Sequence, residues 1–512
     1  MKKLAEKKEI EKDLKLLAKS SVIVFIGLFL SKVFTYVYRI IIAREFGPET
    51  YGFFTIAVMI TGWFIAFSNI GLNQGLVRYV AIFRIKNQKS KISYLFKVSL
   101  IFTAITSIAA GILLFLLAPF ISLNLFHNSD LIIFLKFFSL IISLTVISEI
   151  YLSVVLAYEY IGWYTFIYKV LLSFLRVLII AGLVYLGLKT NAIFLSYTLS
   201  LLLILIFSFY LCKNKFSFLF DKRLPKSQAK ALFRKLFYYS WPLLFYAILW
   251  NTFHWTDSFF IGYFKNAYEV GIYNAAVPIA FLLTMTSSLF MQLFFPMINR
   301  EYSLGNKETV KQLSQQVGKW IFALNIPLTI LFILYPQFFL NLLFGPDYLS
   351  AANSLRFLAV GTLFFSLFDV SNKLITMGGR SKVVLSDILV VFVGNITLDI
   401  LLIPRYGIEG AAFATMISLI LLSLIFAVQS FIFYSILPIR RKIINISIAT
   451  GISTVILIYL TTKFPSGILY TLTLFTLFFI LYLISILLLQ GFDKNDKMIF
   501  KIVLRKLEVF KN

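Results

Sequence analysis

FKVSLIFTAITSIAAGILLFLLA, residues 96–118, carries one charge, Lys97, at its edge. A bilayer core about 30 Å thick is crossed by a helix of about 20 predominantly apolar residues. Reading outward, fourteen such runs follow one another, near 20–43, 53–77, 96–118, 131–156, 161–186, 191–212, 236–262, 270–296, 320–343, 350–376, 383–403, 410–436, 443–461 and 467–490. They are continuously apolar. A transmembrane β-barrel would instead alternate apolar and polar residues over strands of about 10. The fold class read from the sequence is therefore all-α, a polytopic membrane protein of fourteen transmembrane helices.

Composition agrees. Of 512 residues 60% are hydrophobic and 14% charged, and mean hydropathy is +0.90. Soluble domains are about 45–50% apolar and about 25% charged. A soluble enzyme, a disordered chain and a soluble nucleic-acid binder are excluded. The single cysteine, Cys212, excludes a disulfide framework and a cysteine metal cluster. The 57 Phe and 27 Tyr suit surfaces facing lipid and its interfaces. A cleavable leader is not expected, because the first run follows a polar tail, Met1 to Lys19, and is too long for a signal core.

The net charge of +26 is distributed by topology. With the N-terminus inside, the inner segments hold 35 Lys and Arg, and the outer ones hold five: Arg44, Lys189, Lys265, Arg405 and Lys463. This is a positive-inside bias. It places both termini in the cytoplasm and the chain in the cytoplasmic membrane. It also assigns the excess charge to the inner leaflet rather than to nucleic acid.

The chain repeats itself. Pro119-Phe-Ile-Ser-Leu-Asn-Leu-Phe126 resembles Pro336-Gln-Phe-Phe-Leu-Asn-Leu-Leu-Phe344, and Leu135-Lys136-Phe137 resembles Leu355-Arg356-Phe357. Glu149 aligns with Asp369, Gly187 with Gly407, Ala192 with Ala412, and Tyr51-Gly52-Phe53 with Val270-Gly271-Ile272. The offset stays near 217–220. Six helices return a chain to its starting side, so the repeats are expected to be parallel about an axis along the membrane normal, a transporter architecture. The expected organisation is a cytoplasmic tail (1–19), an N-lobe of helices 1–6 (20–212), a cytoplasmic linker (213–235), a C-lobe of helices 7–12 (236–436), an appended helix pair (437–490) and a cytoplasmic tail (491–512).

Ala43-Arg-Glu-Phe-Gly-Pro-Glu-Thr-Tyr-Gly52 and Ser68-Asn-Ile-Gly-Leu-Asn-Gln-Gly75 resemble the first-loop and second-helix signatures of Wzx-type oligosaccharide flippases. These belong to the multidrug/oligosaccharidyl-lipid/polysaccharide exporter superfamily, with lipid II flippases and MATE drug exporters as cousins. The resemblance implies moving a polyprenyl-phosphate-linked glycan between leaflets by alternating access. Read without any family, Gly47, Pro48 and Gly52 predict a tight outer turn.

Charges inside a bilayer are expensive, at least about 2.5–3.5 kcal/mol each on insertion scales. The spans carry Lys32, Arg39, Arg78, Lys136, Lys169, Arg176, Arg356 and Lys373 against Glu149, Asp257, Asp369, Asp387 and Asp399. The first lobe is cationic and the second acidic. Lys32, Tyr36 and Arg39 share one helical face, as do Lys169, Ser173 and Arg176. Two such stripes predict one wet, cationic cavity. Arg offers bidentate hydrogen bonds and Lys a point charge to a phosphate, so Lys32, Lys169 and Arg176, with Arg39 and Arg78, are the candidate substrate contacts. The competing reading is interfacial anchoring for Arg39, Lys136, Arg356 and Arg78, and ion pairing with Glu149 for the deeper three. Asp369 and Lys373, at i, i+4, are expected to pair, while Asp387 has no evident basic partner.

The resemblance further implies a sodium site. Asp257, Asn395, Asp399 and Thr415 are similar in kind and spacing to the helix 7, 11 and 12 ligands of lipid II flippases and some MATE exporters. All four offer oxygen, as hard cations require. Sodium or a proton is thus the expected coupling ion, no other cofactor is expected, and His254 could take part in protonation. Among competing functions, a membrane glycosyltransferase would need a sizeable outer loop with acidic metal ligands, and none is present in the sequence. A MATE-type antiporter would be expected to stop at twelve helices with an acidic or apolar first lobe. The expected partners are the lipid-linked oligosaccharide, membrane lipids and glycan-assembly proteins, with the chain acting as a monomer and not as an enzyme.

Overall fold

The computed structural model describes residues 2–221, 226–463 and 467–491, with side chains from residue 26 onward except those of 221, 226–228, 246, 250 and 293. Residues 222–225 of the expected linker, 464–466 of the last expected outer loop and 492–512 of the C-terminal tail lie outside the described residues, as do the side chains of the N-terminal tail.

The described residues form helices and no strand. In order these are α1 (Lys2–Asn69), α2 (Leu72–Ile85), α3 (Lys89–Phe120), α4 (Leu131–Ala157), α5 (Ile161–Thr165), α6 (Leu172–Tyr185), α7 (Asn191–Lys215) and α8 (Phe218–Asp221). They continue with α9 (Lys226–Phe264), α10 (Ala267–Ser303), α11 (Lys307–Leu334), α12 (Pro336–Leu343), α13 (Ala352–Met377), α14 (Ser381–Tyr434), α15 (Lys442–Lys463) and α16 (Ile468–Leu488). Among the described residues, eleven helical stretches are long and apolar enough to span a bilayer. The sequence reading counted fourteen runs. Two of the eleven, Ile26–Asn69 and Ser381–Tyr434, are 44 and 54 residues long and each covers two of those runs. Helix α9, which carries Asn251, His254 and Asp257, is not among the eleven.

The long helices bend where glycine leaves the helical region. Gly47 in α1 has φ 79° and Gly407 in α14 has φ 56°. The predicted tight turn at Gly47–Pro48 is thus a kink inside a continuous helical stretch. The second expected span also differs from its reading. It breaks at Ile70 (φ 47°) and Gly71 (φ 69°) before resuming as α2. An apolar run conceals such a break because hydropathy does not register φ.

The helices group into two compact units. The first comprises residues up to 278 with 340–351 and 398–411; the second comprises the remaining described residues. In the first, α4 packs against α1, α2, α3 and α7, around a core that includes Leu76, Phe96, Val154, Cys212 and Leu236. In the second, α11 packs against α13 and α15, and α15 against α16. The Tyr482 hydroxyl donates to the Ala323 carbonyl at 2.6 Å, pinning α16 to α11. Outward faces are apolar: Ile101, Ile105, Ile108 and Ile112 form an exposed stripe along α3, as a lipid solvent demands.

The repeat is visible inside the first unit. An added Cβ at Gly52 would overlap the Ala267 carbonyl, and one at Gly271 would overlap the Pro48 carbonyl. Each glycine's added Cβ would also lie 3.1 Å from the other's amide nitrogen. Residues 48 and 52 match 267 and 271 at one offset, so each element meets its own counterpart about a local two-fold axis. Thr55 bonds the Tyr51 carbonyl at 2.8 Å and Asn274 the Val270 carbonyl at 2.9 Å, repeating the pattern. Small residues are what such close backbone approach requires.

Candidate functional site

The first unit brings α1 against the α5–α6 segment through small residues. The Ser173 hydroxyl lies 3.2 Å from that of Ser31 and 3.3 Å from that of Thr35. A Cβ on Gly27 would sit 2.6 Å from the Thr165 methyl. This crossing brings Lys32 of α1 and Lys169 together as charged neighbours, with Arg39 also near Lys32. Lys32 is exposed although its helix is apolar, as a cavity-lining lysine would be. Arg39 reaches toward α9, its guanidinium carbon 5.9 Å from the Trp255 ring centroid. His254 of α9 has Lys32 as a charged neighbour.

Arg176 takes a different position. Its guanidinium carbon lies 3.7 Å from the Tyr197 ring centroid, and its Nε is buried without a hydrogen bond. The equal-face reading of Lys169, Ser173 and Arg176 assumed α geometry throughout. Residues Phe166–Leu171 are instead π-helical, and the wider turn rotates Lys169 relative to Arg176. Arg78 stacks at 4.3 Å on Tyr239 of α9.

Among the described residues, Glu149 meets the cluster as a charged neighbour of Lys169. Asn69 Nδ2 donates to it at 2.7 Å, Asn73 Nδ2 at 3.2 Å and the Tyr168 hydroxyl at 2.7 Å. Asn69 and Asn73 flank the break at Ile70–Gly71, and Asn69 Oδ1 also accepts the Asn73 amide at 3.2 Å. One carboxylate thus ties both sides of the helix break to α4. Lys169 is its charged neighbour, but no ion pair joins Glu149 to Lys32 or Arg39 among the described residues.

The acidic residues divide. Asp369 pairs with Lys373 at 3.9 Å, as its spacing predicted. Asp387 accepts from Gln429 Nε2 at 3.0 Å. Asp257 accepts a hydrogen bond from the Tyr273 hydroxyl. Asp399 is fully buried, and its carboxylate lies against that of Asp257. Two carboxylates facing each other in low dielectric call for a proton or a cation between them. Asn395, one turn before Asp399 on α14, is buried with its Nδ2 unpartnered. Asn395 and Thr415 belong to the second unit.

Three features escaped the sequence reading. Lys319, counted there with an inner loop, is fully buried within α11. Asn325 is a buried hub: Thr286 donates to its Oδ1 at 2.7 Å, and its Nδ2 donates to the Leu283 carbonyl at 2.9 Å and to Ser366 Oγ at 2.8 Å. Arg44 donates to the carbonyls of Leu343 at 2.9 Å, Leu342 at 2.6 Å and Asn341 at 3.2 Å, capping the end of α12. Tyr348 adds a bond to the Ala43 carbonyl at 2.9 Å. Only the polar loop flanking Arg44 hinted at this.

An all-helical multi-pass chain with cations and carboxylates inside its spans is a membrane transport protein by class. The polysaccharide biosynthesis protein family matches residues 17–301, more than half of the chain, and the MatE family matches 242–401. The chain belongs to the polysaccharide biosynthesis protein family, the Wzx-type branch of the exporter superfamily. A Methanocaldococcus jannaschii membrane protein is 25% identical over 76% of this chain and 78% of its own length. The Shigella flexneri "Putative O-antigen transporter" is 23% identical over 74% of this chain and 89% of its own length. The lipid II flippase MurJ, in an inward closed conformation, shares the fold with a TM-score of 0.70 at 17% identity, over 91% of this chain and 98% of that one. An inward-facing MATE multidrug transporter gives 0.61 at 14% identity, over 81% and 98%.

Proposed function

We propose that the protein moves a polyprenyl-phosphate-linked oligosaccharide from the inner to the outer leaflet of the cytoplasmic membrane by alternating access. The observation that carries this reading is the cluster of Lys32, Lys169 and Arg39, three cations against one neighbouring carboxylate, Glu149 beside Lys169. Glu149 also accepts hydrogen bonds from Asn69, Asn73 and Tyr168, and one carboxylate cannot balance three cations. Cations that lack a counter-ion inside a membrane need a reason, and a phosphate carried on a lipid supplies one. Lys32 and Lys169 hold the phosphate and Arg39 adds a fork of donors, while Arg176, stacked on Tyr197, stands apart from them. The family membership supports a glycan cargo.

Coupling is assigned to Asp257 and Asp399. The facing carboxylates of Asp257 and Asp399 offer the oxygen ligands that a hard monovalent cation such as sodium takes. An ion biases an inward–outward equilibrium only if it binds the two states unequally.

The experiment is reconstitution of the full chain in vesicles with a fluorescent polyprenyl-diphosphate glycan, read by its accessibility to an outer-leaflet quencher. Wild type is expected to move the lipid, and Lys32→Ala with Lys169→Ala to lose transport while remaining folded. Undiminished transport by that double variant would overturn the reading.

A further inference from the structure

Helix α9 begins with basic residues, and one of its faces changes character along its length. Lys230, Arg234, Tyr238, Trp241 and Phe245 follow at helical spacing, from cationic through aromatic to apolar. All five are exposed. The basic end borders a cleft of about 970 Å³ lined by Tyr79, Lys230, Arg234, Lys235, Tyr238 and Tyr239. Arg78 of α2 joins it by stacking on Tyr239 at 4.3 Å. Four cations thus gather at one junction. No carboxylate lines the cleft, and none of the four has an acidic partner among the described residues. The junction itself is tight: a Cβ on Gly71 would lie 2.5 Å from the Ser240 carbonyl, and one on Gly75 would overlap the Ser240 hydroxyl.

We infer that this cleft is a docking site for an anionic phospholipid of the inner leaflet. Its headgroup phosphate sits among Arg78, Lys230, Arg234 and Lys235, and its acyl chains lie along Trp241 and Phe245. The inference rests on the proposed orientation, which puts the basic end of α9 at the inner face. It is separate from the transported lipid and from the cluster around Lys32. Charge complementarity selects an anion, because four unpaired cations repel one another until one arrives. The exposed aromatic and apolar continuation selects an anion that carries a hydrocarbon chain. Basic pockets between helices on the cytoplasmic side recognise lipid headgroups in this way. Because Arg78 stands on α2 and the other three on α9, a lipid bound here braces the α2–α9 junction.

The test uses the full chain in phosphatidylcholine nanodiscs and a phosphatidylglycerol with a photoactivatable acyl chain. Labelling of the peptide around Tyr238–Phe245 is read by mass spectrometry. Each basic residue near an anionic headgroup contributes about fivefold to binding. The variant with Lys230→Gln, Arg234→Gln and Lys235→Gln is therefore expected to need roughly a hundredfold more phosphatidylglycerol for half-maximal labelling, and Lys32→Ala no more than wild type. Arg234→Glu alone, at an exposed position, keeps the test open if the triple variant fails to fold. Equal labelling by photoactivatable phosphatidylcholine, or indifference of both variants, would overturn the inference. So would displacement by inorganic pyrophosphate as effective as by unlabelled phosphatidylglycerol, which would mark a free-anion site. Displacement by polyprenyl diphosphate at far lower concentration would reassign the cleft to the transported lipid. Transport by wild type is measured in parallel, so loss of the docking site and failure of the flippase reading are told apart.

Discussion

Replacing Gly52 by alanine tests the local two-fold contact. The new Cβ meets the Ala267 carbonyl, a backbone atom that no rotamer change can move. Overpacking of this kind costs about 1–3 kcal/mol. Alanine also removes glycine's helix penalty, a gain of about 1 kcal/mol, so the net loss is about 0–2 kcal/mol, which is about 1–3 kcal/mol below a helical Gly→Ala change that meets nothing. Gly271→Ala meets the Pro48 carbonyl and should lose a similar amount. The double variant decides the matter. If both methyl groups strain one shared contact, separating the two helices once relieves both, and the double variant falls little further than either single one. Independent sites would add. Gly182→Ala is the control, because an added Cβ there meets nothing within 4 Å, so it should be neutral or stabilising. Apparent melting temperatures of the purified protein in nanodiscs, at matched lipid content, supply the readout. Additive losses, or a Gly52→Ala protein as stable as Gly182→Ala, would refute the shared-axis contact.

Three further expectations follow from the site. Glu149→Gln replaces an acceptor of three donors by a group whose amide opposes one of them, and should lower stability by about 1–3 kcal/mol in the same melting assay. Asp399→Asn removes one of two facing carboxylates, so the variant should melt no lower than wild type while its transport loses dependence on a sodium gradient; retention of that dependence would remove Asp399 from the coupling site. A tag inserted after Asn128 should react with an impermeant reagent from outside intact cells, and a reporter after Lys89 should stay cytoplasmic. Inside-only reactivity at Asn128 would overturn the orientation.

Much of the fold was legible because the bilayer imposes one strong rule, length in apolar residues, and the sequence obeys it. The Asp369–Lys373 pair was legible for a similar reason: i, i+4 spacing on a helix fixes the distance without tertiary knowledge. The echo of Gly52 in Gly271 was readable as a repeat, but that the two glycines touch depends on how the helices pack. Other features were hidden by the same apolar uniformity. A run apolar all round shows neither the break at Ile70–Gly71 nor the π stretch around Lys169, since both are backbone events within unbroken hydropathy. Lys319 was misplaced because its neighbours, Ser314, Gln315 and Gln316, read as loop. The occupation of Glu149 by Asn69, Asn73 and Tyr168 joins three elements distant in sequence, beyond any spacing rule.

The hold that Arg44 has on the end of α12 carries an implication for mutational tolerance. The guanidinium contacts carbonyls that every residue possesses, so it places no demand on which side chains stand at 341, 342 and 343. A saturation library should therefore be lopsided, with positions 342 and 343 accepting most residues of suitable polarity and position 44 accepting few. Two halves of one interaction would then drift at different speeds, and the contact could persist through lineages in which α12 no longer resembles itself.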